Sequence, residues 1–178
     1  PAIQPVFSAH GLVTASVANV LDLTPGIPVS YKAGDQPNNA LSLNVLNPGE
    51  VAATAGTSGV IYGVSDALTY DSASRVNSFA HVNHSQEQTR VGVLLCINGT
   101  GILNSFVKQH LANGLGYTEL NSAAATVDVG SEGLAILPFG NGAERMLGNR
   151  TIGAHFTGID LNRHRPAHIF RAVQEGIA

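Results

Sequence analysis

The chain has 178 residues, of which 44% are hydrophobic and only 12% are charged, about half the typical charged share of about 25%. No apolar run approaches the roughly 18 to 20 residues that a membrane helix requires, so a membrane protein is not expected. A formal net charge of -3 leaves no basic surface for nucleic acid, which we do not expect as a partner. The low share of charged residues would be explained if part of the surface is normally covered. It would equally be explained if Ala, Ser, Asn and Gly stand on the surface in place of charged residues.

An acidic residue follows the first clear strand. Residues 27–31 are rich in β-branched and aromatic side chains and predict a short strand, and Pro37 suits the first position of a helix. Asp35 is therefore predicted at a helix N-terminus, where N–H groups and the positive end of the dipole stabilise a carboxylate. A carboxylate is the form that a general base presents to a hydroxyl. Because Asp is also a common N-cap, a purely structural cap is the alternative.

A glycine-bounded turn comes next. Residues 51–55 and 60–64 predict two strands joined by Gly56-Thr57-Ser58-Gly59, which is a hairpin with a bare tip. Glycines allow a ligand to approach the backbone, and exposed N–H groups with two hydroxyls are suited to phosphate oxygens. An ordinary glycine turn is the alternative.

The rest of the chain alternates strands and helices with short turns. The pattern predicts strands at 75–81, 91–97 and 134–137, and helices at 101–112, at 117–125 and from Pro166 onward. With no Pro-rich or Ser-rich linker, this order predicts one α/β domain spanning residues 1–178. Pro1 is not an initiator residue and the last helix has no C-cap, so we expect a partial domain.

The single cysteine and the histidines give weaker signals. Cys96 lies in the apolar strand at 91–97 and is predicted to pack in the core, and one cysteine forms no disulfide framework. His81 and His84 have the spacing of a metal pair, but no further ligand accompanies them, and we predict no metal site. Three other histidines have no partner pattern and are predicted on the surface: His155, His164 and His168.

Four motifs in this order resemble a known family. They are Gly34-Asp35-Gln36, the Gly56–Gly59 hairpin, the Ile97–Gly101 turn that opens a helix, and the Leu137–Arg145 segment. Together they resemble the carboxy-terminal half of the carbohydrate kinases of the FGGY family, most closely the bacterial xylulokinases. The resemblance runs from about Gly26 to Ala178.

The resemblance implies a fold and a set of residue roles. The fold would be a ribonuclease-H-like, or actin-like ATPase, α/β domain with a mixed sheet flanked by helices, incomplete at both ends. Asp35 would be the catalytic base and would contact the substrate together with Gln36. ATP would be bound by two groups of residues: Gly56, Thr57 and Ser58 at its terminal phosphates, and Gly99, Thr100 and Asn104 nearby.

The resemblance also implies a reaction. We expect ATP-dependent phosphorylation of a sugar hydroxyl, with D-xylulose as the substrate and D-xylulose 5-phosphate as the product. The enzyme is expected to be cytoplasmic, to use ATP and Mg²⁺, and to be a homodimer at full length. An amino-terminal domain would be missing here, so this chain alone is expected to be inactive, with most magnesium ligands outside it. A glycerol or ribulose kinase, or a non-catalytic actin-like nucleotide- or sugar-binding module, are the alternatives. Glu144-Arg145 is expected to fix a loop rather than to act in catalysis.

The chain departs from the family pattern at two places. Lys32-Ala33 stands where relatives often have two glycines, and Met146-Leu147 replaces a small hydroxyl residue and proline. These departures concern the choice of sugar rather than the type of reaction.

Overall fold

A computed structural model describes residues 4–178, which form two compact units. Unit 1 comprises the described residues up to Ala52 together with residues 62–70 and 77–94. Unit 2 comprises residues 53–61, 71–76 and 95–178.

The elements follow one another closely along the chain. The strands are β1 (Phe7–Leu12), β2 (Pro28–Tyr31), β3 (Val51–Ala55), β4 (Gly59–Ser65), β5 (Asn77–Ala80), β6 (Val91–Ile97), β7 (Ala135–Leu137) and β8 (His155–Thr157). The helices are α1 (Ala15–Leu21), α2 (Asp35–Ser42), α3 (Thr100–His110), α4 (Tyr117–Ala124) and α5 (Pro166–Ile177), with 3₁₀ turns at Ser131–Gly133 and Arg145–Leu147.

Unit 1 begins with an antiparallel pair of strands. β1 and β2 pair with Phe7 opposite Tyr31, and the two ring centroids are 4.9 Å apart. Helix α1 connects these strands and is capped by Thr14, whose Oγ1 accepts a hydrogen bond from the N–H of Val17. The chain passes from β2 directly into α2, so the position of β2 determines where the helix begins at Asp35.

A four-stranded sheet has the order β3-β4-β6-β5. β5 pairs antiparallel to β6, with Asn77 opposite Leu94 and Ala80 opposite Val91. The apolar run of β6 is typical of a strand covered on both faces, and Val91 and Leu94 are buried. Strands β3, β4 and β6 each contribute residues to both units.

The core of unit 2 lies between three helices and β7. β7 pairs antiparallel to β8, and α5 packs on α3, α4 and β7. Gly176 of α5 allows this packing, because a Cβ there would lie 2.1 Å from the carbonyl oxygen of Ile136. Ten buried side chains form the cluster: Leu103, Val107, Ala112, Leu120, Ala124, Leu134, Ile136, Phe170, Ala172 and Val173.

The boundaries differ from the sequence-based expectations by a few residues. Helix α2 begins at Asp35 with Gly34 as its N-cap, so Pro37 is the third helical residue and not the first. The N–H that proline lacks would have no helical partner at any position in the first turn, so this position is tolerated. Helix α3 spans Thr100–His110, where the sequence predicted 101–112. No helix within residues 4–178 combines the length and the apolar character needed to cross a bilayer.

Candidate functional site

Asp35 lies at the N-terminus of α2, as the sequence predicts. It is exposed, and its Oδ1 accepts a hydrogen bond from the N–H of Gln36 at 2.8 Å. Tyr31, at the end of β2, donates its hydroxyl to Oδ1 of Asn38 in α2, which ties the strand to the helix across the turn that carries Asp35. The buried side chains of Pro37 and Ala40 anchor the helix in unit 1. Asp35 and Gln36 are therefore presented from a fixed turn.

A buried tyrosine and histidine brace the segment that follows α2. Tyr62 and His81 are 1% and 0% exposed, and the Tyr62 hydroxyl lies 2.9 Å from His81 Nδ1. His81 Nε2 lies 3.0 Å from the carbonyl oxygen of Val45, which accepts only, so Nε2 carries the proton and Nδ1 accepts from Tyr62. Burial lowers the pKa of His81 and raises the pKa of Tyr62 to about 12.

Ring nitrogens of His81 and His84 are engaged in hydrogen bonds within the protein. Both ring nitrogens of His81 are hydrogen-bonded, and His84 Nδ1 accepts from the N–H of Arg90 at 3.1 Å. Among the residues that the structure describes, no group of three or more His, Cys, Asp and Glu side chains is placed to hold a metal ion.

The tip of the β3–β4 hairpin contacts the beginning of α3 in unit 2. The carbonyl oxygen of Thr57 accepts a hydrogen bond from the N–H of Ile102 at 3.1 Å. A Cβ on Gly101 would lie 1.9 Å from the carbonyl oxygen of Gly56, and a Cβ on Gly59 would lie 2.8 Å from Cγ2 of Thr100. Glycine at these positions is therefore required for the hairpin and the helix to approach this closely.

This contact borders a cavity of about 610 Å³. Its walls come from β3, β4, β6, α3 and the end of α5, and include Gly56, Gly59, Thr100, Gly101 and Asn104. The structure thus brings together three of the predicted ATP-binding residues, Gly56, Thr100 and Asn104, from parts of the sequence more than 40 positions apart. Thr57 and Ser58 form the tip beside this cavity, where the carbonyl oxygen of Ser58 accepts from the N–H of Gly56 at 3.1 Å.

Thr100 has an unusual environment in this cavity wall. The residue is 4% exposed, and its Oγ1 is buried without a hydrogen-bond partner among the described residues. A buried hydroxyl without a partner costs about 1–3 kcal/mol, so such groups are rare in folded proteins. Nothing in the sequence signalled this, because it depends on what packs around Thr100.

Gly99, the N-cap of α3, has a different position from the other predicted ATP-binding residues. It is buried, and a Cβ there would lie 1.8 Å from the carbonyl oxygen of Pro138. It lines a second, apolar cavity of about 280 Å³ together with Phe106 and Phe156. The backbone at Gly99 therefore packs against the backbone at Pro138 and does not form an open loop.

The weaker sequence expectations have mixed outcomes. Cys96 is half-buried, and its Sγ donates to Oδ1 of Asn98 at 3.5 Å. His155 is exposed as predicted, but only 13% of the His168 side chain is exposed, which corrects its predicted surface position. His168 is covered because its Nδ1 accepts the N–H of Arg165 and closes the first turn of α5.

Curated proteins that are similar to this chain in sequence include sugar kinases, the kind of protein that the motifs resemble. The chain is 30% identical over 179 residues to a xylulose kinase of Staphylococcus epidermidis, covering 97% of this chain and 34% of that protein. It is 28% identical over 171 residues to a gluconokinase of Bacillus subtilis, covering 90% of this chain and 32% of that protein. Both relatives are named as sugar kinases. It spans about a third of the length of these curated relatives.

The solved structures support the fold of this kinase-related chain. The crystal structure of a xylulose kinase from Rhodospirillum rubrum superposes with a TM-score of 0.81 at 27% identity, covering 99% of this chain and 35% of that one. The expected actin-like α/β fold class is therefore confirmed. No family model matches the chain.

Proposed function

We propose that the protein carrying this chain transfers the terminal phosphoryl group of ATP to a sugar hydroxyl, with D-xylulose as substrate and D-xylulose 5-phosphate as product. The observation that carries the proposal is the glycine-walled cavity lined by Thr100, whose buried Oγ1 has no hydrogen-bond partner among the described residues. Relatives named xylulose kinase support the choice of sugar. A cytoplasmic location and assembly as a homodimer, both implied by the resemblance, belong to the same proposal.

The cavity wall is suited to the polyphosphate of ATP. The N-terminus of the 11-residue helix α3 supplies the positive end of a dipole, which favours anions, although the N–H of Ile102 in its first turn is bonded to the carbonyl oxygen of Thr57. Glycines at 56, 59 and 101 keep side chains away from the wall. The Thr100 hydroxyl can turn about χ1 and donate to a phosphate oxygen, since threonine in a helix populates two rotamers. Phosphoryl transfer is accelerated mainly by positioning and charge neutralisation, which is what such groups supply.

Asp35 is the proposed general base. Its Oδ1 accepts the N–H of Gln36, and Oδ2 is the atom that we assign to take the proton of the substrate hydroxyl. As that proton moves to Oδ2, the hydroxyl oxygen forms a bond to the terminal phosphorus, and the bond from phosphorus to the leaving oxygen of ADP breaks. The amide of Gln36, which is half-buried beside Asp35, is proposed to hold the sugar.

Magnesium fits this reaction as a companion of ATP. Mg²⁺ typically binds one or two carboxylates, substrate phosphates and several waters, and Asp35 is the described carboxylate that we propose lies near the ion. When bound, the ion neutralises charge on the phosphates.

The test is a coupled ADP-release assay on the protein that carries this chain, with D-xylulose, D-ribulose, gluconate and glycerol as acceptors. We expect the highest kcat/KM with D-xylulose. Asp35→Asn should lower kcat by about 10² or more with little change in the Kd for ATP, because the shape is kept and the base is lost.

Asp22→Asn is the matched control. Asp22 is an exposed carboxylate that ends α1 with a φ of 53°, a conformation that Asn also adopts, so the charge change is the same and full activity is expected. Wild-type turnover by Asp35→Asn would refute the assignment of the base. ATP binding without ADP release for any acceptor would indicate the non-catalytic module instead.

A further inference from the structure

Glu144 is a fully buried carboxylate in the loop that follows β7. It is 0% exposed, and its Oε1 and Oε2 accept the same backbone N–H, that of Asn98, at 3.1 and 3.2 Å. Burying a carboxylate is costly unless hydrogen bonds compensate. The two residues are 46 positions apart, and Asn98 comes directly before the N-cap of α3.

The backbone around Glu144 holds the carboxylate in place. The N–H of Glu144 donates to the carbonyl oxygen of Arg150 at 3.0 Å, and the carbonyl oxygen of Glu144 accepts from the N–H of Asn149 at 2.9 Å. These bonds close a short loop around the 3₁₀ turn Arg145–Leu147. Glu144 therefore contacts Asn98 from a rigid support.

The same segment holds Asn98 through two further hydrogen bonds. Asn98 Nδ2 donates to the carbonyl oxygen of Ala143 at 2.8 Å, and Asn141 Nδ2 donates to the carbonyl oxygen of Asn98 at 2.9 Å. The next residue, Gly99, packs so closely on Pro138 that a Cβ would lie 1.8 Å from its carbonyl oxygen. The segment 138–144 thus fixes the turn between β6 and α3.

We propose that Glu144 is a positioning residue for nucleotide binding, an inference that rests on the proposed function. It acts through Asn98, because fixing that residue fixes Gly99 and the first turn of α3, including the Thr100 hydroxyl in the cavity wall. A hydrogen bond to a carboxylate is roughly twice as strong as one to a neutral amide, which gives a physical reason for a charged residue at this buried position. Glu144 touches neither substrate nor the reacting atoms.

The test compares three variants of the protein that carries this chain. Glu144→Gln keeps the shape and one acceptor but loses the charge, and we expect the Kd of the non-hydrolysable analogue Mg·AMP-PNP, measured by calorimetry, to rise about tenfold. Asn141→Ala, at an exposed position, loosens the same turn without a buried charge, and a rise of about threefold is expected. Glu50→Gln is the control, since the Glu50 carboxylate also accepts backbone N–H groups, from Leu46 and Asn47, but lines no part of this cavity.

Hydrogen exchange without nucleotide supplies a second readout. In Glu144→Gln the amides of residues 98–103 should exchange about tenfold faster, while those of α4 should keep their wild-type rates. A merely structural role would lower the melting temperature and leave the Kd of the folded protein unchanged, as we expect for Glu50→Gln. If Glu144→Gln does not fold, Asn141→Ala still decides the question.

The outcomes separate this inference from the proposed function. If the wild type fails to bind Mg·AMP-PNP, the proposed function is wrong. If the wild type binds and Thr100→Val weakens binding, but the folded Glu144 or Asn141 variants bind with wild-type affinity, the positioning role is refuted and the nucleotide site stands.

Discussion

Replacing Thr100 by valine should raise the stability of the free protein and lower its affinity for ATP. Valine keeps the branched shape and the methyl group that lies against Gly59, so the packing between hairpin and helix is retained. Only the hydroxyl is lost, and in the free protein that hydroxyl is buried without a partner among the described residues. The two effects have opposite signs because the hydroxyl gains a hydrogen bond only when the ligand is present.

The magnitudes follow from the cost of an unpaired hydroxyl. Removing it should stabilise the free protein by about 1 kcal/mol, the lower end of the ~1–3 kcal/mol measured for unpaired buried polar groups. For a domain of this size that corresponds to a rise in Tm of about 2–4 °C. A hydrogen bond to a charged phosphate contributes about 1.5–3 kcal/mol, so the Kd for ATP should rise about 10- to 100-fold.

Thr100→Ser is the matched variant, because it keeps the hydroxyl and loses the methyl group. We expect nearly wild-type ATP affinity and a stability loss of about 1 kcal/mol from the removed methyl. Urea unfolding and calorimetry with Mg·AMP-PNP on both variants give the two quantities independently. A Thr100→Val protein that is less stable than the wild type and binds ATP equally well would refute the reasoning, since the hydroxyl would then serve the fold and not the ligand.

Three further outcomes are expected. Gly101→Ala should abolish measurable ATP binding and lower Tm, because its Cβ would lie 1.9 Å from the Gly56 carbonyl oxygen. Gly63→Ala is the control, because its Cβ would meet nothing closer than 3.9 Å. Equal ATP affinity and equal Tm of the two variants would contradict the close approach of Gly101 to Gly56. Burial lowers the pKa of His81, so the unfolded state binds its proton more readily, and stability should fall as pH drops below about 6.5. Urea midpoints at pH 7.5 and 5.5 should therefore differ less for His81→Gln than for the wild type, and an unchanged difference would exclude His81 as the source. The 178 residues alone span about a third of the length of their relatives. We therefore expect them to bind ATP with a Kd in the millimolar range, a binding free energy of about -4 kcal/mol, and to release no ADP in response to sugar. Clear sugar-dependent turnover in the coupled assay would overturn this expectation.

Local sequence signals account for the elements that depend on neighbouring residues. The β-branched run before Tyr31, the glycines that bound the hairpin tip and the proline that opens α5 act within a few residues, so strands, turn and helix start lie where local signals predict them. The position of Asp35 at a helix N-terminus was predictable for the same reason. The family resemblance rests on these local motifs and their order.

Features that depend on distant contacts could not be predicted from local sequence signals. Tyr62 and His81 are 19 positions apart, so the sequence offered His81 only as a possible partner of nearby His84. Glu144 and Asn98 are 46 positions apart, and the sequence could only suggest that Glu144 fixes a loop, not which one. Burial and hydrogen bonding are properties of what surrounds a residue after folding, and no local pattern encodes them. For that reason the Thr100 hydroxyl, which has no partner among the described residues and on which the proposed nucleotide site depends, follows only from the packing of β3, β4 and α3 around it.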